Sequence, residues 1–497
     1  MGKAIMLQGT SSNVGKSVLA TALCRIFAQD GYRVAPFKAQ NMSNNSYVTE
    51  DGLEIGRAQG VQAEAAGVRA EAIMNPVLVK PSGENTAQVV LLGKPLMTVG
   101  ARGYGEEYVP RVLPVVRRSL EELLRRFDIV VIEGAGSPAE VNLRDRDIAN
   151  MTVAEMARAP VLLVGDIDRG GVLASLVGTM ELLAPAERAM VRGFLINKFR
   201  GDLELLRPGL EFLADRTGVP VLGVIPWIDP GLVEAEDAVV LTERRGPEQG
   251  EVTVAALVLP RISNFTDLDP LERTPGVILR LVRRGEPLGE PDAVIIPGTK
   301  YTVGDLQYLV ENGYAAEIRA LAARGIPVVG ICGGYQMLGR RILDPEGVES
   351  SVPEVEGLGL LDVETVFVPE KEVLRVEGEV CGGFLAAAHG APVRGYEIHM
   401  GRTTRGPGAR PWIRLRRRGQ EEVSLEEGAA SGRVLGTYLH DIFANRDFRL
   451  AFVNYLRVRK GLGPVSGGDV DREEAYDLLA RTVRESLDMQ AIYSLLA

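Results

Sequence analysis

At 497 residues the chain is too long for one ordinary core and has room for two to four domains. It is 25% charged and 46% hydrophobic, as expected of a globular protein in water, and its net charge of −10 disfavours general nucleic-acid binding. Three scattered cysteines exclude a disulfide framework and fit a reducing compartment. No stretch has the length of a membrane span, and the first residues do not form a signal peptide, so a cytoplasmic protein with no membrane partner is expected.

Along the first half, short apolar runs alternate with helical spacing. Lys3–Leu7, Arg33–Phe37, Asp128–Ile132, Val161–Val164, Gly193–Ile196 and Val219–Ile225 read as buried strands, and Val18 to Phe27 repeats as a helix face. Such alternation predicts a mostly parallel sheet covered by helices over residues 1–241. Residues 242–251 are polar, with Pro247 and two glycines, and read as a linker. Strands at Val252–Leu259, Asp292–Ile296 and Pro327–Ile331, with a helical stretch over Leu306–Ala323, predict a second α/β domain over 252–447. A helical segment over 448–497 follows.

Gly9-Thr10-Ser11-Ser12-Asn13-Val14-Gly15-Lys16-Ser17 follows a strand and opens a helix, the setting of a phosphate-binding loop, one residue longer than the plain pattern. Backbone N–H groups from Thr10 to Gly15 are expected around phosphate, with Lys16 on the outer phosphates and Ser17 on Mg²⁺. Glu133 ends an apolar strand and is expected to face the same Mg²⁺. Asp166 and Asp168 are weaker candidates of that kind, and Asn197 is a candidate for the adenine base.

Cys332 lies in Gly330-Ile331-Cys332-Gly333-Gly334-Tyr335-Gln336, after a strand and before a helix. A sharp turn of this kind exposes a nucleophile, the helix N-terminus lowers its thiol pKa, and nearby N–H groups such as that of Gly333 can hold an oxyanion. Of the three histidines, His440 at the end of a strand is the expected base. His399 reads as structural and His389 as exposed.

The spacing Gly330-x-Cys332-x-Gly334-x-Gln336, with His440 a domain-length later, resembles the class I glutamine amidotransferases. That resemblance implies ammonia release from L-glutamine through a cysteine thioester, Gln336 helping to hold the glutamine, and an oxyanion N–H from Gly298 in Pro297-Gly298-Thr299-Lys300. Many members carry a glutamate two residues after the histidine. Here that position is Ile442, so the third member of the site stays open, with a Cys-His dyad as one reading. The first half resembles the dethiobiotin-synthetase-like ATPases.

Together the halves resemble the cobyrinate amide synthases, carried by Lys38–Ser46, Gly56–Gln59, Asp166–Gly171 and Arg261–Asp267. The resemblance implies ATP, Mg²⁺ and glutamine as reactants and a corrinoid acid as substrate, with no tightly bound prosthetic group. Within the family, these strings point to the member that amidates the b, d, e and g carboxylates of adenosylcobyrinic acid a,c-diamide. The sister enzyme that makes the a,c-diamide is the alternative. Lys38, Gln40, Asn41, Arg57 and Arg169 are the expected substrate contacts, the arginines through bidentate pairing. A partitioning-type ATPase would share the phosphate loop but has no use for Cys332 and His440. Oligomeric state is not legible in the sequence, which leaves room for a homodimer.

Overall fold

The computed structural model describes every residue except 1, 83–85, 101–107, 235, 237–240, 242–249 and 468–470, so most of the expected linker lies outside the described residues. Two parallel sheets organise the chain. In the first, six strands run in the order Val221–Pro226, Val191–Phe199, Val161–Asp166, Lys3–Gly9, Ile129–Glu133 and Val34–Phe37, every pair parallel. These strands are apolar on both faces because helices cover both sides, so they read as runs rather than alternations. Lys3–Gly9 sits centrally, and the helix Lys16–Gln29 leaves its C-terminal end. Glu133 ends the neighbouring strand, so phosphate loop and acid share one edge of the sheet.

The second sheet orders Val277–Val282, Val252–Leu257, Ala293–Ile296, Val328–Ile331, Val434–Thr437 and Ala429–Ser431, parallel except for the last pair. Gly330 is in register with Gly436 and Ile331 with Thr437. Cys332 and His440, 108 positions apart in sequence, therefore leave adjacent strand ends. The expected helix Leu306–Ala323 is two helices, Thr302–Glu311 and Tyr314–Ala323, separated at Gly313 by a left-handed turn at φ 82°.

A long antiparallel hairpin, Val363–Val380 with Pro392–Arg405, stands beside this domain and reaches the first one. Arg375 from its first strand donates to Val48 O and Tyr47 Oη, each at 2.8 Å. The seam holds buried charge. Glu54, with no exposed surface, accepts from Lys80 at 2.5 Å and from Ser46 Oγ at 2.7 Å, and it also pairs with Lys371 of the hairpin.

The C-terminal helical segment divides between the two halves. Arg446–Arg459 buries Phe448, Phe452 and Leu456 in the second domain. Arg472–Ser486 and Met489–Leu496 cross back and bury Tyr476, Leu479, Val483 and Ile492 against Leu19, Leu23 and Phe27 of the first. Their apolar stripe needs a partner, and the helix Lys16–Gln29 provides one. Arg25 with Asp477, and Arg484 with Asp30, pair at the margin.

Leu479→Ala should therefore destabilise the first domain by about 2–5 kcal/mol. The expected result in chemical denaturation is a lower midpoint for the transition that removes nucleotide binding.

Candidate active sites

The constellation around Cys332 is built on strain. Cys332 joins the strand Val328–Ile331 to the helix Gly333–Leu338 with φ 52° and ψ −109°, a conformation disfavoured for a side-chain-bearing residue. Glycines make the turn feasible. A Cβ at position 334 would lie 2.0 Å from Ile296 O, and one at position 330 would lie 2.6 Å from Gly334 O. The Cys332 amide donates to Thr437 O at 2.8 Å, and its sulfur faces Ile398 O at 3.4 Å.

His440 is wholly buried. Its Nδ1 donates to Asp267 Oδ2 at 2.7 Å, and the other Asp267 oxygen accepts the Asp441 amide at 2.7 Å. Burial disfavours the imidazolium, but the Asp267 carboxylate and the Cys332 sulfur outweigh it and hold His440 up to about 10. A Cβ at position 298 would stand 3.0 Å from His440 Cε1, so Gly298 borders the same space, and Gly333 lies against Thr299. Gln336 is clamped: its Oε1 accepts from Thr302 Oγ1 at 3.0 Å, and its Nε2 donates to Tyr438 Oη at 3.1 Å. His399 stacks on Tyr438 with centroids 3.7 Å apart, donates to Gly401 O, and is pushed by burial down to about 4, the setting of a neutral structural ring.

At the other site Lys16 Nζ donates to Ser11 O at 3.0 Å and Gly136 O at 3.1 Å. Ser17 Oγ lies 2.9 Å from Glu133 Oε1 and 2.6 Å from Glu236 Oε2. Lys38 is buried between the same two carboxylates, at 2.8 and 2.6 Å. Gln62 Nε2 donates to the second oxygen of Glu133 at 2.7 Å. Glycine is required at position 15, where φ is 98° and a Cβ would meet Asn197 Nδ2 at 2.1 Å. The loop backbone fits phosphate, and the Ser17 hydroxyl with the Glu133 and Glu236 carboxylates is an all-oxygen donor set suited to a hard divalent cation.

Residues 5–237 match the model of the CobQ/CobB/MinD/ParA nucleotide binding domain, and residues 253–448 that of the CobB/CobQ-like glutamine amidotransferase domain. The chain is 54% identical to the cobyric acid synthase of Desulforamulus reducens, with 100% of this chain and 98% of that one covered. It is 55% identical to the cobyric acid synthase of Pelotomaculum thermopropionicum (100% and 97% covered) and 52% identical to that of Geobacillus kaustophilus (98% and 96%). The chain belongs to the cobyric acid synthase family. It is an ATP-dependent, glutamine-hydrolysing amide synthase of two α/β domains, and the second match leaves no place for the partitioning-type alternative. Among the described residues no helix is long and apolar enough to cross a membrane.

Several expected site residues have surroundings that refine their reading. Asn197 donates to Val14 O at 2.8 Å, so its amide nitrogen braces the phosphate loop. Asn13, at φ 61°, has its carbonyl bound by Lys198. The Thr10 amide donates to Val164 O and fixes the loop on the sheet. Arg57 departs from the expected substrate clamp: its side chain is 3% exposed, lies 2.5 Å from Glu234 and 3.5 Å from Asp441, and sits over the rings of Tyr47 and Tyr396. Asn41 donates to Gln59 Oε1, and Gln40 accepts from Tyr108 Oη. Arg169 remains half exposed near Asp166. Asp267, Glu234 and Glu236 were not singled out in the sequence. Asp267 lies in one of the strings that carry the family resemblance, and that string was the available signal.

Asp267→Asn should lower glutamine hydrolysis by roughly 10²- to 10⁴-fold through loss of the oriented, charged partner of His440. Because the folded-state pKa of His440 is raised, its contribution to stability is complete below the ordinary histidine value near 6.5 and is lost as pH rises to about 10. Unfolding measured across pH 6.5–10 should show that decline in the native protein, and the decline should flatten in Asp267→Asn.

Proposed function

We propose that this chain converts a corrinoid acid, adenosylcobyrinic acid a,c-diamide, into its b, d, e and g amides, with glutamine as nitrogen donor and ATP as activator. The observation that carries this reading is the pairing of a Cys332–His440–Asp267 site with a phosphate loop and Glu133 in one chain of this family. We assign hydrolysis of glutamine to residues 252–447 and activation of the carboxylate to residues 1–241.

In the glutamine half, His440 takes the proton of the Cys332 thiol. The thiolate attacks the glutamine carboxamide carbon, and the N–H groups of Gly298 and Gly333 receive the resulting oxyanion. His440 gives its proton to the departing nitrogen, which leaves as ammonia. Water, deprotonated by His440, then cleaves the thioester to glutamate. Gln336, fixed by Thr302 and Tyr438, borders the bound glutamine.

In the synthetase half, a corrinoid carboxylate is a poor acyl donor, and transfer of the ATP γ-phosphoryl group makes it an acyl phosphate. Ammonia displaces phosphate and gives the amide. The loop Ser11–Gly15 and Lys16 hold the phosphates, with Thr10 fixed on the sheet and Asn197 and Lys198 bracing the loop from the strand Val191–Phe199. Ser17 and Glu133 would hold Mg²⁺, which when bound spreads the charge of the phosphate oxygens. Lys38, buried against Glu133 and Glu236, would have to exchange those partners for phosphate or a substrate carboxylate. Gln40, Asn41 and Arg169 border the same edge.

Two substitutions separate the halves. Cys332→Ala should abolish glutamine-dependent amidation yet leave amidation from concentrated ammonium salt at mildly alkaline pH within about threefold of the native rate. Lys16→Ala should remove amidation with either nitrogen donor. Equal loss with both donors in Cys332→Ala would refute the assignment of the halves. Native-like ammonia-dependent rates in Lys16→Ala would refute the role of the loop.

A further inference from the structure

Two loops meet beside Cys332. One, 261–267, carries Asn264 and Asp267, and the other is the turn 297–300 that carries Gly298. Their backbones pair: the Ser263 amide donates to Gly298 O and the Lys300 amide to Arg261 O, each at 2.9 Å. Thr299 is buried at the centre of this pairing. Its Oγ1 accepts from the Tyr301 amide at 3.1 Å, lies 3.0 Å from Arg261 O and donates to Asp305 Oδ2. A hydroxyl has one proton, and the charged acceptor takes it. The same carboxylate oxygen accepts the Arg261 amide at 3.2 Å. Asp305 is buried on the first turn of the helix Thr302–Glu311, so one carboxylate clamps both loops.

The other side of Thr299 meets the turn of the nucleophile. A Cβ at position 333 would lie 2.6 Å from Thr299 Cγ2 and 3.3 Å from its backbone nitrogen, so Thr299 packs directly on Gly333. Among the described residues neither the Gly298 nor the Gly333 amide has a backbone acceptor. An oxyanion needs both N–H groups within about 2.7–3.1 Å of one point. They come from separate turns, and Thr299, next to Gly298 in sequence and against Gly333 in space, joins those turns. We infer that Thr299 and Asp305 are positioning residues that fix the spacing of the Gly298 and Gly333 N–H groups. They serve the tetrahedral intermediate rather than the binding of glutamine. This rests on the assignment of Cys332, Gly298 and Gly333 proposed above.

The test compares two reactions of the same sulfur. Glutamine hydrolysis passes through an oxyanion, whereas alkylation of Cys332 by iodoacetamide does not. Alkylation is followed as the loss of glutamine hydrolysis with time. Thr299→Val keeps the bulk beside Gly333 and removes the hydroxyl. It should lower kcat for glutamine roughly 10- to 100-fold, since a misplaced donor costs less than the roughly 10²- to 10³-fold of a deleted one. KM for glutamine, the alkylation rate and ammonia-dependent amidation should stay as in the native protein. Thr299→Ser keeps the hydroxyl and should recover kcat to within about threefold of the native value. A parallel fall of alkylation and hydrolysis in Thr299→Val would make Thr299 a general support of Cys332 and overturn the inference. An unchanged kcat, a change in KM alone, or a Thr299→Ser variant as slow as Thr299→Val would overturn it too. If Thr299→Val also loses ammonia-dependent amidation, Asp305→Ala takes its place, and there a fall of both rates together overturns the inference. Glutamine hydrolysis that survives Cys332→Ala would instead remove the assignment on which the inference rests.

Discussion

Buried charge at the seam between the domains is the constraint on which the arrangement depends. Glu54 has no exposed surface, and Lys80 and Lys371 bind it from the two sides. Burial opposes the ionised carboxylate, yet the two lysines hold Glu54 below the usual carboxylate range, while burial pushes Lys371 down to about 7. A second knot places Arg57 between Glu234 and Asp441. Buried pairs of this kind add little net stability, because desolvation offsets attraction, but separating one leaves an uncompensated charge at a cost of about 3–5 kcal/mol. They therefore penalise any arrangement of the domains that parts them. The observed arrangement brings Ser46 to Asn264 and Arg57 to the residue after His440.

Both sites rest on strained backbone. Of the seven described non-glycine residues with positive φ, Asn13 and Lys198 brace the phosphate loop, and Asn264, Cys332 and Asp441 lie at the Cys332 sulfur and the His440 imidazole. Such conformations cost about 1–3 kcal/mol each and persist where the surroundings over-determine them. Here the surroundings are parallel sheets whose strand ends carry the loops. Cys332 is tied to Thr437, the neighbouring strand's last residue, and Lys198 to Asn13 and Asp166. The chemistry therefore sits at the carboxyl ends of strands, where a rigid scaffold meets irregular loops.

What was legible in the sequence was local. The phosphate loop, the turn at Cys332 and the apolar strands announce themselves within ten residues, because sterics and burial act on neighbours. Asp267 was not identified as the partner of His440, since its role depends on a loop 173 positions away folding against the histidine. A dyad was one reading of the sequence, and the carboxylate comes from the loop after the strand Val252–Leu257, where the sequence after His440 offers Ile442. Arg57 reads as a substrate clamp until its burial beside Glu234 and Asp441 is known. The hairpin Val363–Val380 with Pro392–Arg405 has no comparable signal, because its partly exposed strands lack the apolar runs of the parallel sheets. The return of the final helices to the first domain had no local signal, since an amphipathic stripe does not name its partner.

Under the proposed division of the chain, ammonia released at Cys332 is used in the phosphate-loop half, and whether it crosses the seam without equilibrating with solvent is open to direct test. The measurement is amidation with [amide-¹⁵N]glutamine in excess unlabelled ammonium, at a pH low enough for ammonium to remain protonated. Native protein should give product amides that keep the ¹⁵N label. That label should be diluted in Glu54→Ala, where the pairing with Lys80 and Lys371 is broken. Native product carrying the isotope ratio of the solution would contradict direct transfer across the seam.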